Sequence, residues 1–203
     1  MKLYYSRNLN PRVAVAAARY LGSPVEYVKA SPRHPDHESA FRALNPNALV
    51  QILVEADRTL WETDAIVCRL SALAGSDFWR VGEELVDLIK WISWGTNHLN
   101  SAASILYFDR LIRPNFSDQP ADPALIEEAL HDFAKAAAIL DAELEGRTWL
   151  VGDHISYADF RVATALPFAE RAGLPLVGLG NVKRWHDQLW AIDAWRAPFE
   201  GLA

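Results

Sequence analysis

Glu62 and Thr63 are the residues whose types and setting point most directly to chemistry. They follow two short apolar runs, at 50–54 and 59–61, which are separated by a polar turn at 55–58, and they open a stretch predicted to be helical to about Ala74. The first turn of a helix leaves main-chain N–H groups unpaired and carries a partial positive charge, so it suits a ligand carboxylate. Thr63 adds a hydroxyl there, and Glu62 adds an anion able to hold an ammonium group. Carboxylate and ammonium together describe the amino-acid end of a small peptide.

A second set of titratable residues, His154 and Asp159, has the look of a catalytic pair but is better explained by folding. In the run Gly152-Asp153-His154-Ile155-Ser156-Tyr157-Ala158-Asp159-Phe160, Ser156 is placed to cap a helix and Asp159 to return the bond from its third position. Ile155 and Phe160 would close a hydrophobic staple across that cap. Cys68 is the only cysteine, which excludes an internal disulfide and a cysteine-built metal site. Set among Ile66, Val67 and Leu70, it reads as a buried spectator.

The elements that must position these residues change character along the chain. The first third alternates short strands, at 3–6 and 25–29, with an Ala-rich helix from Pro11 to Leu21 closed by Gly22. A polar, proline-broken segment at 31–36 and a short helical stretch to Leu44 precede the hairpin and the helix opened by Glu62. Beyond a break at Gly75-Ser76-Asp77 the strand signal ends. A long helix is expected from Glu83 to about Ile112, with Leu85, Leu88, Ile89, Ile92 and Leu99 as its apolar positions. A loop follows from Pro114 to Pro123. Ile126, Leu130, Phe133, Ala137, Leu140 and Leu144 then step by three and four, the pattern of an amphipathic helix. Two more helices are expected, at about 157–172 and 181–192. The expected organisation is an α/β domain at 1–76, a linker at about 77–82 and an all-α domain at 83–203.

With 51% hydrophobic and 23% charged residues over 203 positions, the composition is that of a globular protein with a sizeable core. The formal net charge of −6 argues against a nucleic-acid partner. No apolar run approaches the roughly 20 residues that span a bilayer. The N-terminus turns polar at Ser6-Arg7-Asn8, so neither a membrane partner nor a signal peptide is expected, and the cytoplasm is the expected setting. Six of the eight tryptophans fall in the expected all-α domain, where core packing is the expected use, with Trp94 a candidate for lining a pocket.

The segment Asn45-Pro46-Asn47-Ala48-Leu49-Val50-Gln51-Ile52-Leu53, followed by the hairpin and Glu62-Thr63-Asp64-Ala65-Ile66, resembles the glutathione-binding segment of the glutathione S-transferase family. That family usually reads N-P-x-G-x-V-P-x-L and then E-S-x-A-I. The capping run at 152–160 resembles the G-D-x-x-S-x-A-D-x motif of the family's helical domain. Trp91, Trp94, the run Asn181 to Trp185, and Trp195 before Pro198 extend the likeness to bacterial members and to the whole chain. The resemblance implies a thioredoxin-like N-terminal domain followed by an all-helical C-terminal domain. It also implies glutathione as co-substrate, a homodimer, and attack of the glutathione thiolate on a small hydrophobic electrophile or a peroxide, in the service of detoxification, with no metal. The competing expectation is a non-catalytic member of the same fold that holds glutathione conjugates or hydrophobic ligands.

By position, the resemblance gives Glu62 and Thr63 the γ-glutamyl end of glutathione. It gives Val50 and Gln51 the cysteinyl part, through main-chain pairing like an added strand. His37 becomes a candidate for the glycine carboxylate, with Arg33 and His34 nearby. The family places a cis-proline where this chain has Gln51. A cis bond before a non-proline residue costs roughly 2.5–4 kcal/mol, so a trans Val50–Gln51 bond, a displaced loop and weaker glutathione binding are expected. For the thiolate-stabilising group the order of candidates is Asn10, Asn8, then Ser6, with Asn10-Pro11 read as helix cap and first-turn proline. Arg7 or Arg12 would add positive potential to that loop. The loop holds no cysteine, so a mixed-disulfide mechanism is not expected. The electrophile pocket is expected between the domains, from Tyr5 and from one face of the first long helix, where Trp94, His98 and Ser101 or Ala102 align.

Overall fold

In the computed structural model, which describes residues 1–32, 34–119 and 121–202, the chain divides into two units. Unit 1 comprises Met1–Trp79 with Ile192–Ala203, and unit 2 comprises Arg80–Ala191.

Unit 1 is built on a four-stranded sheet of β1 (Lys2–Tyr5), β2 (Glu26–Lys29), β3 (Ile52–Val54) and β4 (Thr59–Trp61) in the order β2-β1-β3-β4. β1 runs parallel to β2 and antiparallel to β3, and β3 runs antiparallel to β4. Alternation along β1 sends Leu3 and Tyr5 into the core, while central β3 buries both Ile52 and Leu53. The helices α1 (Leu9–Tyr20), α2 (Glu38–Leu44) and α3 (Thr63–Leu73) intervene or follow in the order expected of a thioredoxin-like domain. α1 buries every residue from Pro11 to Ala18, because its alanines let sheet and helices approach on all sides. α3 contributes Ile66, Val67 and Leu70.

The last residues of the chain correct the expected boundary. The segment from Ile192, with the short helix α10 (Asp193–Arg196), belongs to unit 1 and not to the helical unit. The Tyr5 ring stacks on Phe199 with centroids 5.5 Å apart. The Arg12 guanidinium lies 4.5 Å from the Trp195 ring centroid and donates to the Trp195 carbonyl. Arg7 donates to the Leu202 carbonyl at 3.4 Å.

Unit 2 is helical. α4 (Glu84–Trp94) passes through a π-helical turn at Gly95–Leu99 into α5 (Asn100–Tyr107), and a second π turn at Phe108–Ile112 follows. The expected long helix is therefore present, but with two widened turns. Leu88, Ile92 and Leu99 are buried as expected, whereas Ile89 is 52% exposed. α6 (Pro123–Glu143) turns Phe133, Ala137 and Leu140 inward. Beyond it come α7 (Tyr157–Val162), a 3-10 stretch at Ala163–Phe168, α8 (Ala169–Ala172) and α9 (Gly180–Trp190).

The capping box at α7 forms as expected, with Ser156 and Asp159 reciprocally bonded. Asp159 also accepts from the Leu150 N–H at 3.0 Å and from Trp185 Nε1 at 2.9 Å. Burial pushes the Asp159 carboxyl up, and its donors from Ser156, Trp185 and Leu150 oppose that. His154 is exposed and pairs with Asp153 at 2.7 Å, so His154 and Asp159 do not form a catalytic couple. Among the described residues no helix is long and apolar enough to cross a membrane.

Candidate functional site

The hairpin ends at Trp61 and α3 begins at Thr63, so a single residue turns the chain from strand into helix. That residue is Glu62, at φ 74° and ψ 129°, a conformation costly for a side chain larger than glycine and concentrated at functional sites. Glu62 is exposed and makes no side-chain cap bond. Thr63 beside it is 2% exposed, and its hydroxyl lies 3.3 Å from the main-chain oxygen of Asn10. The opening of α3 thus lies beside the opening of α1.

The loop before α3 is held by Asn45. Its side-chain nitrogen donates to the Leu49 carbonyl at 2.9 Å, and its oxygen accepts from the Asn47 N–H at 3.0 Å. Ala48 takes φ 49°, in the left-handed region, at the position where the resembling family has glycine. The Asn-Pro-Asn run is a turn signal, but composition alone marks neither the Asn45 bonds nor the left-handed Ala48.

The Val50–Gln51 peptide bond is cis, which corrects the expected trans bond. The side-chain bonds of Gln51 were not visible from spacing. Two donors, the N–H and the hydroxyl of Thr63, face one end of its amide, so that end is the oxygen. It accepts from the N–H at 2.9 Å and from the hydroxyl at 2.7 Å, while the nitrogen donates to the Val50 carbonyl at 3.3 Å.

At the start of α1 the cap differs from expectation. Asn8 is the N-cap residue, with the Arg12 N–H bonded to its carbonyl at 2.9 Å, and Asn10 and Pro11 lie inside the first turn. The physical reason is that the first four N–H groups of a helix lack intrahelical partners, so proline fits the third position as well as the first. Asn8 Nδ2 donates to the Ser6 hydroxyl at 3.4 Å. Asn8 and Asn10 are exposed and Ser6 is half-buried, so all three candidates share one short loop and helix opening. Arg12 does not serve that loop. It is buried beneath Trp195, and burial pushes its guanidinium down to about 10. Arg7 is turned toward Phe199, 5.5 Å from the ring centroid.

His37 is the exposed residue at the opening of α2, with its ring 5.2 Å from that of His34. Arg33 lies outside the described residues. Tyr5 departs from expectation: it is 1% exposed and belongs to the core of unit 1. Its place in β1 makes it alternate inward with Leu3. Cys68 is half-buried, and burial pushes its thiol up, the opposite of an activated nucleophile.

Trp94, His98 and Ser101, with Ala102, do come together. They line one wall of a cavity of about 510 Å³ within unit 2, whose other wall is α6. The His98 ring lies 6.1 Å from that of Trp94, and Trp94 meets Trp91 edge-on at 5.3 Å. The α6 wall carries Glu128, Asp132 and Lys135, so the cavity is more polar than the sequence suggested.

Comparison with known proteins adds independent findings. The family model described as "Glutathione S-transferase, C-terminal domain" matches residues 105–193. The chain is 30% identical over 158 residues to "Glutathione S-transferase GstB" of Escherichia coli, covering 76% of this chain and 74% of that one. It is 32% identical over 205 residues to "Probable glutathione S-transferase GSTF2" of Oryza sativa subsp. japonica, covering 94% of this chain and 92% of the rice protein. Among solved structures, glutathione S-transferase-I bound with lactoylglutathione superposes with a TM-score of 0.84 at 23% identity, covering 97% of each chain. Glutathione S-transferase III in its apo form also gives a TM-score of 0.84, at 25% identity.

Proposed function

Since this chain belongs to the glutathione S-transferase family, we propose that it binds glutathione at the opening of α3 and passes the thiolate to a small hydrophobic electrophile or a peroxide. One observation carries this reading: a buried N–H and hydroxyl at Thr63 and an exposed carboxylate at the strained corner residue Glu62 converge on a helix N-terminus. The γ-glutamyl carboxylate would be taken by Thr63 and the ammonium by Glu62. The Val50 main chain, next to Gln51, would pair with the cysteinyl part, and His37 would attract the glycine carboxylate.

The thiolate would be stabilised from the loop that carries Asn10, Asn8 and Ser6. An amide or hydroxyl can donate to sulfur there without acting as a base, so the contribution is a lowered thiol pKa and proximity rather than covalent catalysis. For the electrophile, the cavity lined by Trp94, His98 and Ser101 offers an aromatic floor and a polar wall. A homodimer in the cytoplasm is the assembly and setting that accompany this reading.

The test is a conjugation assay over several electrophiles and a peroxide, run beside calorimetry with glutathione. Turnover with at least one acceptor, and saturable glutathione binding, are expected. Ligand binding without turnover of any acceptor would favour a binding protein, and absence of glutathione binding would sink the reading.

A further inference from the structure

The groups that the proposed reading assigns to glutathione are already taken by a residue of the chain itself. Gln51 is 6% exposed, and its side chain lies across the opening of α3. Its oxygen accepts from the Thr63 N–H at 2.9 Å and the Thr63 hydroxyl at 2.7 Å, and its nitrogen donates to the Val50 carbonyl at 3.3 Å. A ligand carboxylate would want the first two donors, and a ligand peptide N–H would want the carbonyl. A planar amide presents one acceptor end and one donor end, so it meets both demands at once. Glu62, the residue placed to cap this helix, makes no side-chain cap bond that would compete.

We propose that Gln51 is a specificity-determining internal occupant of the γ-glutamyl subsite, and that a ligand enters by displacing its amide from Thr63. This rests on the reading that the ligand is glutathione. The displacement selects for charge. A carboxylate forms hydrogen bonds roughly twice as strong as those of a neutral acceptor, so it gains on exchange where a neutral amide or ester exchanges like for like. The occupant also lowers apparent affinity, because only the fraction of molecules with Gln51 withdrawn is competent to bind.

The experiment has a ligand-free arm and a ligand arm. In the ligand-free protein, hydrogen exchange at the Thr63 amide should be several-fold faster in Gln51→Ala than in wild type. Unchanged exchange would overturn the occupancy. In calorimetry, glutathione should bind about fivefold or more tightly to Gln51→Met and Gln51→Ala than to wild type. Equal or weaker binding would overturn the proposal. In the wild-type protein, which needs no substitution, saturating glutathione should shift the Gln51 side-chain amide resonances toward those of a solvated glutamine. An unmoved pair in the bound state would overturn displacement. Faster Thr63 exchange with no glutathione binding by any form would keep the occupancy and remove glutathione as the ligand.

Discussion

The Thr63 hydroxyl lies 3.3 Å from the main-chain oxygen of Asn10, so the helix end proposed for the γ-glutamyl carboxylate and the loop proposed for the thiolate lie side by side. Thr63→Ala should therefore weaken glutathione binding by about fivefold or more, the loss of one hydrogen bond to a charged group. Thr63→Ser should restore most of it. Titration calorimetry checks both, and an unaltered affinity in the alanine variant would show that the ligand does not use this helix end.

Glu55, at the hairpin turn, accepts from Arg69 Nη2 at 3.0 Å and from Arg58 Nε at 2.8 Å. Hydrogen bonds from Arg69 and then Arg58 hold its carboxyl below the ordinary range. A depressed carboxyl contributes stability that is present above the unfolded value, about 4.3, and is lost as pH falls through the folded one. Glu55→Gln should melt below wild type at pH 7, and the difference should close below about pH 4. A gap independent of pH would point to packing rather than charge.

Asp159 satisfies three buried N–H groups, from Ser156, Leu150 and Trp185. Asp159→Ala leaves all three without an acceptor, at about 1–3 kcal/mol each before relaxation. Urea denaturation should show a loss of at least about 3 kcal/mol, and Asp159→Asn, which keeps one acceptor, a smaller one. Substituting His154, which faces Asp153 in the open, should leave stability nearly unchanged.

Gly95 begins the first π turn and faces Val162 of α7 at close range. A Cβ at that position would lie 2.9 Å from Val162 Cγ2. Gly95→Ala should destabilise by about 1–3 kcal/mol through overpacking. Adding Val162→Ala should recover part of that, a coupling readable in a double-mutant cycle.

Arg12→Ala removes the guanidinium from beneath Trp195 and leaves the Trp195 carbonyl without that donor. A loss of about 2 kcal/mol is expected. Protease should then cut at 192–202 before it cuts elsewhere, which electrophoresis and mass spectrometry will show.

Much of this architecture was legible from spacing. Strand alternation and helical steps of three and four located the sheet, α6 and the Trp94, His98, Ser101 face, because those periods follow from backbone geometry alone. The π turns were not legible, since one extra residue in a turn leaves no compositional mark. Nor was the cap at Asn8, because Asn-Pro fits a helix start in two frames. The burial of Tyr5 was not legible either, because a tyrosine at a strand end looks alike whether it faces a pocket or a core. Its ring packs in the cluster of Leu53, Ile66 and Leu70 and stacks on Phe199, at the far end of the chain. Gln51 shows the limit most clearly. Spacing identified the position as anomalous, but only the Thr63 contacts show what the side chain does there.

The closure of unit 1 by residues 192–202 has a consequence for synthesis. The Arg12 bond to Trp195 spans 183 residues, and the segment between them includes all of unit 2. Residues 1–79, which leave the ribosome before unit 2, must wait, with the Tyr5 ring and the Arg12 guanidinium still lacking part of their cover, until the whole helical unit has emerged. The part translated first is thus completed last.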